Sequence, residues 1–111
     1  MWIRKRIKSN LPEISRDLDL RLSKLMRAAQ AGDRDAYVEL LYACLPLIKN
    51  VAQLTGASGD KLDDVMRETL IVVHRIRHTY DPSRSFVTWL RVIAWHLSMD
   101  KMRGERRRSI G

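Results

Sequence analysis

The sequence predicts an all-α protein, folded as a compact bundle of four helices. Apolar residues recur every three or four positions in four segments, and glycine, proline and aspartate lie between these segments. The alternation of apolar and polar residues that is typical of strands is missing from the sequence. The predicted helices span roughly residues 12–31, 34–54, 61–78 and 86–103. One core shared by these helices suits a chain of 111 residues.

Polar residues and glycine mark the limits of the first two helices. Asn10 is expected to be the N-cap of the first helix, and Pro12 is expected in its first turn, where proline is tolerated. Gly32 suits the left-handed position that follows a helix, and Asp33 suits the N-cap of the second helix. Pro46 lies inside the second helix and is expected to kink it about one turn earlier.

Pro82 separates the last two helices, since the residue before a proline disfavours helical backbone angles. The third helix is expected to begin at Asp60, with Asp63 completing an approximate capping box, and the fourth near Ser85. The inner stripe of the fourth helix is predicted to comprise Phe86, Leu90, Ile93, Ala94 and Leu97, with Trp89 beside it. Its outward residues are predicted to be Arg91, Trp95, His96 and Met99.

The chain carries a large positive charge, with 21 Lys and Arg against 13 Asp and Glu and a formal net charge of +8. Such a surplus favours a polyanionic partner, either nucleic acid or an anionic membrane surface. No apolar run approaches the roughly 18 residues that a membrane span needs. The single cysteine, Cys44, excludes an internal disulfide and is expected to be a buried core thiol. We therefore expect a cytoplasmic protein.

The sequence offers no set of residues for catalysis or metal binding. His74 and His78 are four positions apart, but no further ligand lies in register with them. Asp63 and Asp64 are adjacent and diverge by about 100° on a helix, which is a poor arrangement for an acid/base pair. Glycine-rich phosphate loops and nucleophile elbows are missing. We therefore expect neither an enzyme nor a bound cofactor or metal.

The third and fourth helices form a basic hairpin with aromatic residues, which is the candidate functional region. Single-stranded bases stack on aromatic faces while cations pair with phosphates, and this hairpin supplies both kinds of side chain. Trp89 is expected in the core. Trp95 lies off the inner stripe and is expected at an interface.

Several segments of this region occur in a characteristic order. They are DVMRETL at residues 64–70, YDPSRSF at 80–86, TWL and IA within 88–94, and LSMDKMR at 97–103. Together with LMRAAQAGDRDAY at 25–37, this order resembles region 2 of the extracytoplasmic-function sigma factors of bacteria, over residues 22–108. The chain departs from the family pattern at Arg67, at Val92 and at the pair Trp95 and His96.

The resemblance implies a role in transcription initiation and two binding surfaces. The third helix is expected to dock on the clamp helices of the β′ subunit of core RNA polymerase. Its candidate contact residues are Asp64, Arg67, Glu68, Ile71 and Arg75. The loop before the fourth helix and the outer face of that helix are expected to bind the non-template strand of the promoter minus-ten element. The candidate DNA-binding residues are Ser83, Arg84, Ser85, Phe86, Arg91, Trp95, His96, Lys101, Arg103, Arg106 and Arg107.

The resemblance also implies a pocket for one flipped base, formed by the loop and the start of the fourth helix. The expected lining is the backbone of residues 83–85 and the side chains of Phe86 and His96. In the domain organisation that we expect, residues 11–105 form the sigma region 2-like domain, preceded by a basic N-terminal arm at 1–10. Residues 106–111 would begin a basic linker. Family members continue from there into a helix-turn-helix domain that this sequence does not contain.

Two alternative functions fit the same features. One is a sigma-like interaction module held by an anti-sigma factor, with Trp95 and Met99 in the protein interface. The other is a basic helical protein that binds nucleic acid or a membrane without sequence preference. Retention on core RNA polymerase would distinguish a sigma-like function from the second alternative.

Overall fold

The computed structural model describes residues 13–110, with side chains for residues 13–104. Within this range the chain forms four α-helices. We number them α1 (Arg16–Gln30), α2 (Arg34–Leu54), α3 (Gly59–Ile76) and α4 (Phe86–Ile110). A short 3₁₀ helix, Arg77–Thr79, follows α3. The predicted all-α fold of four helices is confirmed, while the predicted N-terminal arm and the predicted cap Asn10 lie outside the described residues.

α1 begins at Arg16 rather than near residue 12, because Ser15 supplies its N-cap. The Ser15 backbone is extended, and its Oγ accepts a hydrogen bond of 3.3 Å from a backbone N–H of the first turn. After α1, Gly32 adopts a φ of +102°, as expected for the left-handed position. The Asp33 carboxylate accepts a hydrogen bond of 3.1 Å from the Ala36 N–H, so the predicted cap of α2 is confirmed.

α2 continues as an unbroken helix through Pro46, which lies on its exposed side. α3 begins at Gly59, with Ser58 rather than Asp60 as its N-cap. The reason is the backbone of Gly59, whose φ of +55° turns the chain into the helix directly after the extended Ser58. The Ser58 carbonyl accepts a hydrogen bond of 3.3 Å from the Leu62 N–H, which closes the first turn.

α4 begins at Phe86, which agrees with the predicted start near Ser85, and Ser85 Oγ accepts a hydrogen bond of 3.1 Å from the Thr88 N–H. The helix then continues to Ile110, beyond the predicted end at residue 103. None of the helices between residues 13 and 110 is both long and apolar enough to cross a membrane.

α4 packs against all three other helices, and the main core lies between them. The core includes Leu22, Met26, Leu40, Ile48, Val73, Phe86 and Leu90, all fully buried. A second buried cluster of Ala52, Ala57 and Val65 packs against Leu62 and Met102. Cys44 is buried in the main core as predicted, and this burial raises the pKa of its thiol to about 12.

The buried surface of α4 differs from the predicted stripe. Arg91 and Trp95, both predicted to point outward, are only 6% and 9% exposed. Because three helices pack against α4, its buried residues form two adjacent rows, at 86, 90, 94 and 98 and at 87, 91 and 95. Trp89 packs against the core from a partly exposed position, and His96 is exposed as predicted.

Candidate nucleic-acid interface

The loop between α3 and α4 is held against α1 by side-chain hydrogen bonds. Ser23 Oγ donates to the Pro82 carbonyl at 2.9 Å and lies 2.9 Å from the Tyr80 hydroxyl. Gln30 Nε2 donates to the carbonyls of Arg77 at 2.9 Å and Tyr80 at 3.0 Å. The Tyr80 hydroxyl in turn donates to the Arg84 carbonyl. These bonds fix the loop backbone at both of its ends.

Asp81 organises the tip of this loop. Its Oδ1 accepts hydrogen bonds from the Ser83 N–H at 2.9 Å and from Ser83 Oγ at 2.8 Å, which is the geometry of an Asx-turn. The Arg84 N–H donates to the Asp81 carbonyl at 2.9 Å. The two bonds from Ser83 stabilise the ionised carboxylate and lower the pKa of Asp81 below its ordinary value. The loop is therefore preorganised without any bound ligand.

Three aromatic rings join the loop to the start of α4. The Tyr80 ring lies 5.3 Å from Phe86 in an edge-to-face arrangement and 5.3 Å from Trp89, and Phe86 and Trp89 are 5.6 Å apart. Tyr80 and Phe86 are buried, whereas Trp89 is partly exposed. Trp89 is therefore the ring of this group that is best placed to meet a ligand.

A pocket of about 640 Å³ lies where the loop meets the first two turns of α4. Its lining comprises Thr79, Tyr80, Asp81, Arg84, Ser85, Thr88, Trp89, Val92 and Ile93. Arg84 and Ser85 were both among the predicted binding residues. Phe86 is fully buried beneath the loop and His96 lies further along α4, so neither side chain lines the pocket as predicted.

The pocket-lining residues of α4 carry a helical signal in the sequence. Counting from Ser85, the lining positions 88, 89, 92 and 93 follow at intervals of three, four, seven and eight residues, which places them on one helix face. The prediction of Phe86 followed its place in the sequence motif. Trp89 was predicted to lie in the core because apolar residues adjoin it in the sequence. That pattern does not reveal that this face of the helix borders the loop.

The other predicted DNA-binding residues divide into exposed and buried positions. Ser83, Arg84, His96 and Arg103 are exposed. Arg84 forms an ion pair of 3.8 Å with Asp81, and Arg103 pairs with Asp100. Arg106 and Arg107 lie on α4 beyond the residues whose side chains the structure describes.

Arg91 lies in the interior of the bundle beside Asp19 of α1, where it is inaccessible as a phosphate contact. Asp19 Oδ1 accepts a hydrogen bond of 3.0 Å from the Val87 N–H in the first turn of α4. Burial lowers the pKa of the Arg91 guanidinium, and the negative charge of Asp19 opposes that shift. Asp19 therefore ties α1 to the start of α4. Neither partner could be identified from the sequence, because 68 residues separate Asp19 from Val87.

The outer face of α3 presents the five predicted polymerase-binding residues. Arg67, Ile71 and Arg75 are exposed, while Asp64 and Glu68 are partly exposed. Arg67 Nη2 bonds Asp64 Oδ1 at 2.7 Å, and Ile71 is 49% exposed at the centre of this face. Lys101 of α4 reaches the same face, which the sequence did not predict. Its Nζ lies 3.6 Å from Asp64 Oδ2 and 3.2 Å from Glu68 Oε1.

An open groove of about 390 Å³ adjoins this face between α2 and α3. Its lining residues are Tyr37, Leu41, Arg67, Leu70, Ile71 and His74. The Tyr37 hydroxyl lies 2.6 Å from His74 Nδ1. The face therefore combines an aliphatic centre with charged and aromatic surroundings, which is the composition of many protein interfaces.

Comparison with known proteins assigns this helical arrangement to a family. Residues 40–108 match the family described as sigma-70 region 2. The chain belongs to the sigma-70 region 2 family. The predicted resemblance to this region of the extracytoplasmic-function sigma factors is thereby confirmed, and the following relatives support it.

The chain is similar to the ECF RNA polymerase sigma factor SigF of Caulobacter vibrioides (strain NA1000 / CB15N), with 34% identity over 89 residues, covering 78% of this chain and 49% of that protein. It is 27% identical to the RNA polymerase sigma factor CarQ of Myxococcus xanthus over 81 residues, covering 73% and 47%. The chain thus spans about half the length of these curated relatives. Its fold matches an NMR structure of an engineered region 2 of sigmaE in complex with GTAAAA, with a TM-score of 0.70 and 24% identity, covering 86% of this chain and 97% of that chain.

Proposed function

We propose that this chain acts in transcription initiation: it binds core RNA polymerase and recognises the promoter minus-ten element as a single strand. The observation that carries this proposal is the pocket between the preorganised loop and α4, in a chain of the sigma-70 region 2 family. The role requires no catalysis by the chain itself.

The pocket is proposed to receive one flipped base of the non-template strand. Flipping costs a few kcal/mol, which stacking and hydrogen bonds to the base edge must offset. Trp89 supplies a ring for stacking, and the hydroxyls of Ser85 and Thr88 with the charged groups of Asp81 and Arg84 supply polar contacts at the rim. The volume of about 640 Å³ lies within the range of ordinary ligand pockets.

The exposed cations around the pocket are proposed to hold the phosphates of the strand. Arg84 borders the pocket, and Arg103 extends the positive surface along α4, followed in the sequence by Arg106 and Arg107. Arg84 and Arg103 each form an exposed ion pair with a neighbouring aspartate. Such solvent-exposed pairs contribute little to stability, so these arginines can exchange the aspartate for a phosphate at small cost in free energy.

Polymerase binding is proposed for the outer face of α3, on the clamp helices of the β′ subunit. Asp64 and Glu68 offer carboxylates, Arg67 and Arg75 offer cations, and Ile71 offers an apolar centre. Replacing both acids, as Asp64→Ala with Glu68→Ala, is expected to weaken binding to the isolated clamp helices. Circular dichroism of the double variant serves as the control for folding. Unchanged affinity would place the docking surface elsewhere.

The pocket is tested with holoenzyme assembled from this chain and bacterial core RNA polymerase. A pool of single-stranded hexanucleotides of random sequence is offered, and the retained strands are sequenced. Wild-type holoenzyme is expected to enrich one sequence class. Thr88→Val, which removes a hydroxyl but preserves the volume, is expected to reduce that enrichment.

Arg103→Gln is the matched comparison for Thr88→Val. It is expected to weaken binding of every strand alike and to reduce the salt slope by about 0.7, since phosphate contacts carry no base information. Uniform recovery of all hexanucleotides by wild-type holoenzyme would instead favour the alternative of a basic protein without sequence preference. Failure of the chain to be retained on core polymerase would refute the polymerase-binding part.

We also propose a protein partner of the anti-sigma type, bound on the exposed side of α2. Val38 and Tyr42 lie one turn apart there and are 52% and 72% exposed. This site replaces the predicted interface at Trp95 and Met99, since Trp95 is buried and Met99 packs against the core. Tyr42→Ser is expected to lose binding to an anti-sigma factor while core polymerase is still retained. Equal anti-sigma affinity for wild type and variant would contradict this assignment.

A further inference from the structure

α1 holds the loop with one edge, and the adjacent edge of the same helix is exposed and cationic. Ser23 and Gln30 bind the loop carbonyls. Arg27 follows Ser23 by four positions and precedes Gln30 by three, so it lies between them on the helix surface. Arg27 is exposed and therefore lies on the helix face from which Ser23 and Gln30 hold the loop.

The cationic edge continues along the helix from Arg27. At intervals of three, four and four residues it includes Lys24, Leu20 and Arg16, all of which are exposed. We call Arg16, Lys24 and Arg27 the α1 cation row. Arg16 and Arg27 are eleven positions apart, which is about 16 Å along the axis. This length matches roughly four to five stacked nucleotide steps of about 3.4 Å each.

The α1 cation row differs in its surroundings from five other cations, although the exposed Arg34, Lys49 and Arg75 share its lack of a carboxylate within ion-pair distance among the described side chains. Arg21, Arg67, Arg84, Lys101 and Arg103 each have a carboxylate within ion-pair distance. Among the residues with described side chains, none brings a carboxylate that close to a member of the α1 cation row. Asp17, Glu39 and Arg21 line a groove that Lys24 and Leu20 also border, and among the described side chains Glu39 pairs with Arg21 rather than with Lys24.

We propose that the α1 cation row binds the phosphates of single-stranded nucleic acid where the strand leaves the base pocket and passes over the loop. The proposal rests on the proposed function, because it uses the pocket as the origin of the strand. Charge complementarity and the position of Arg27 on the helix face that holds the loop support it. A membrane surface is the weaker occupant, since Leu20 is the one exposed large apolar residue of α1 and membrane binding requires a broad apolar face.

The test compares strands of different length on holoenzyme. The selected hexanucleotide is extended by six thymidines on its 5′ side or on its 3′ side, and both extended strands compete against the hexanucleotide. Wild-type holoenzyme is expected to bind one of the extended strands several-fold more tightly. The double variant Lys24→Gln/Arg27→Gln is expected to lose this gain while binding the hexanucleotide as before. The salt slope for the extended strand should fall by about 1.4, from two lost phosphate contacts.

The matched control is Lys49→Gln/Arg34→Gln, which removes one exposed lysine and one exposed arginine from α2. It is expected to keep the full gain from extension. An equal gain in both double variants would overturn the proposal. Loss of polymerase retention in the α1 variant would also overturn it and would assign the row to a protein contact.

Failure of the proposed function can be recognised separately. If no hexanucleotide is selected, the pocket assignment fails, and the α1 cation row is then tested on an oligothymidylate of eighteen nucleotides. The α1 double variant must still show the smaller salt slope on that strand. A salt slope equal to that of the α2 control would refute phosphate binding by the α1 cation row, whatever the outcome for the pocket.

Discussion

Substitution of Trp95 tests the arrangement of α4 most directly, because sequence and structure give opposite expectations. The side chain is 9% exposed and belongs to the main core. A buried aromatic side chain hides about 150–250 Å², and at about 25 cal/mol per Å² this corresponds to about 4–6 kcal/mol of transfer free energy. Alanine retains part of this burial, so Trp95→Ala is expected to lower the free energy of unfolding by about 3–5 kcal/mol.

The matched comparison is Trp89→Ala, since Trp89 is partly exposed and packs only against the border of the core. We expect a loss of about 1–3 kcal/mol for that variant. Urea denaturation followed by far-UV circular dichroism measures both, because removing a tryptophan alters fluorescence directly. Trp95→Phe keeps an aromatic ring, so its loss of unfolding free energy should be less than half of that expected for Trp95→Ala. This variant can still be measured if Trp95→Ala does not fold. A loss below about 1 kcal/mol for Trp95→Ala, as at exposed positions, would refute the burial of this residue.

Four further predictions concern charged and titratable groups. Asp19→Ala should lower the free energy of unfolding by about 1–3 kcal/mol, because it removes the acceptor for the Val87 N–H and the negative charge beside Arg91. Asp17→Ala is the control, and urea denaturation should show a clearly smaller loss for it. Cys44, whose pKa is raised from 9.0 to about 12, should resist alkylation at pH 8 in the native protein and react after denaturation, as followed by mass spectrometry. The Cys44 thiol loses its proton at lower pH in the unfolded chain than in the fold, so it makes the free energy of unfolding decline as the pH rises from about 9 towards 12. Cys44→Ala should make this decline smaller, and the raised pKa values of Tyr37 and Tyr80 account for a remainder. Lys101→Gln should lower the free energy of unfolding by under about 1 kcal/mol, because its ion pairs with Asp64 and Glu68 are partly exposed. This loss should be smaller in high salt than in low salt, and a loss that does not depend on salt would contradict an ionic role.

The features that could be predicted from the sequence are those set by nearby residues. Helical periodicity identified all four helices, and Gly32 and Asp33 identified the junction between α1 and α2. The predicted start of α1 was wrong because Ser15 is its N-cap, and serine and asparagine have equally suitable side chains for that position, so the sequence did not distinguish Ser15 from Asn10. A pocket at the loop and the start of α4 was expected from the resemblance that the YDPSRSF motif carries, and Arg84 and Ser85 line the pocket found there, whereas Phe86 and His96 do not.

The burial pattern of α4 could not be predicted in the same way. A single apolar stripe is expected when a helix packs against one neighbouring layer, and this expectation favoured Trp89 over Trp95. α4 instead packs against three helices, so a second row containing Arg91 and Trp95 is buried as well. The number of helices that pack against a given helix is a property of the tertiary arrangement. It cannot be predicted from the apolar periodicity of that helix alone.

Lys101 shows why the polymerase-binding test must measure stability as well as affinity. It was predicted as a phosphate contact, but its ammonium group is shared by Asp64 and Glu68, the two acids proposed to bind polymerase. Replacing these acids therefore also removes a link between α3 and α4. Partly exposed pairs of this kind contribute at most about 1 kcal/mol, whereas truncating a charge that is buried and paired in a protein interface costs about 2–5 kcal/mol. A binding loss above about 2 kcal/mol with a stability loss below about 1 kcal/mol would therefore locate the effect in the interface. Losses of equal size in both measurements would mean that the acids act through the bundle, and the docking surface would have to be sought around Ile71 and Arg75.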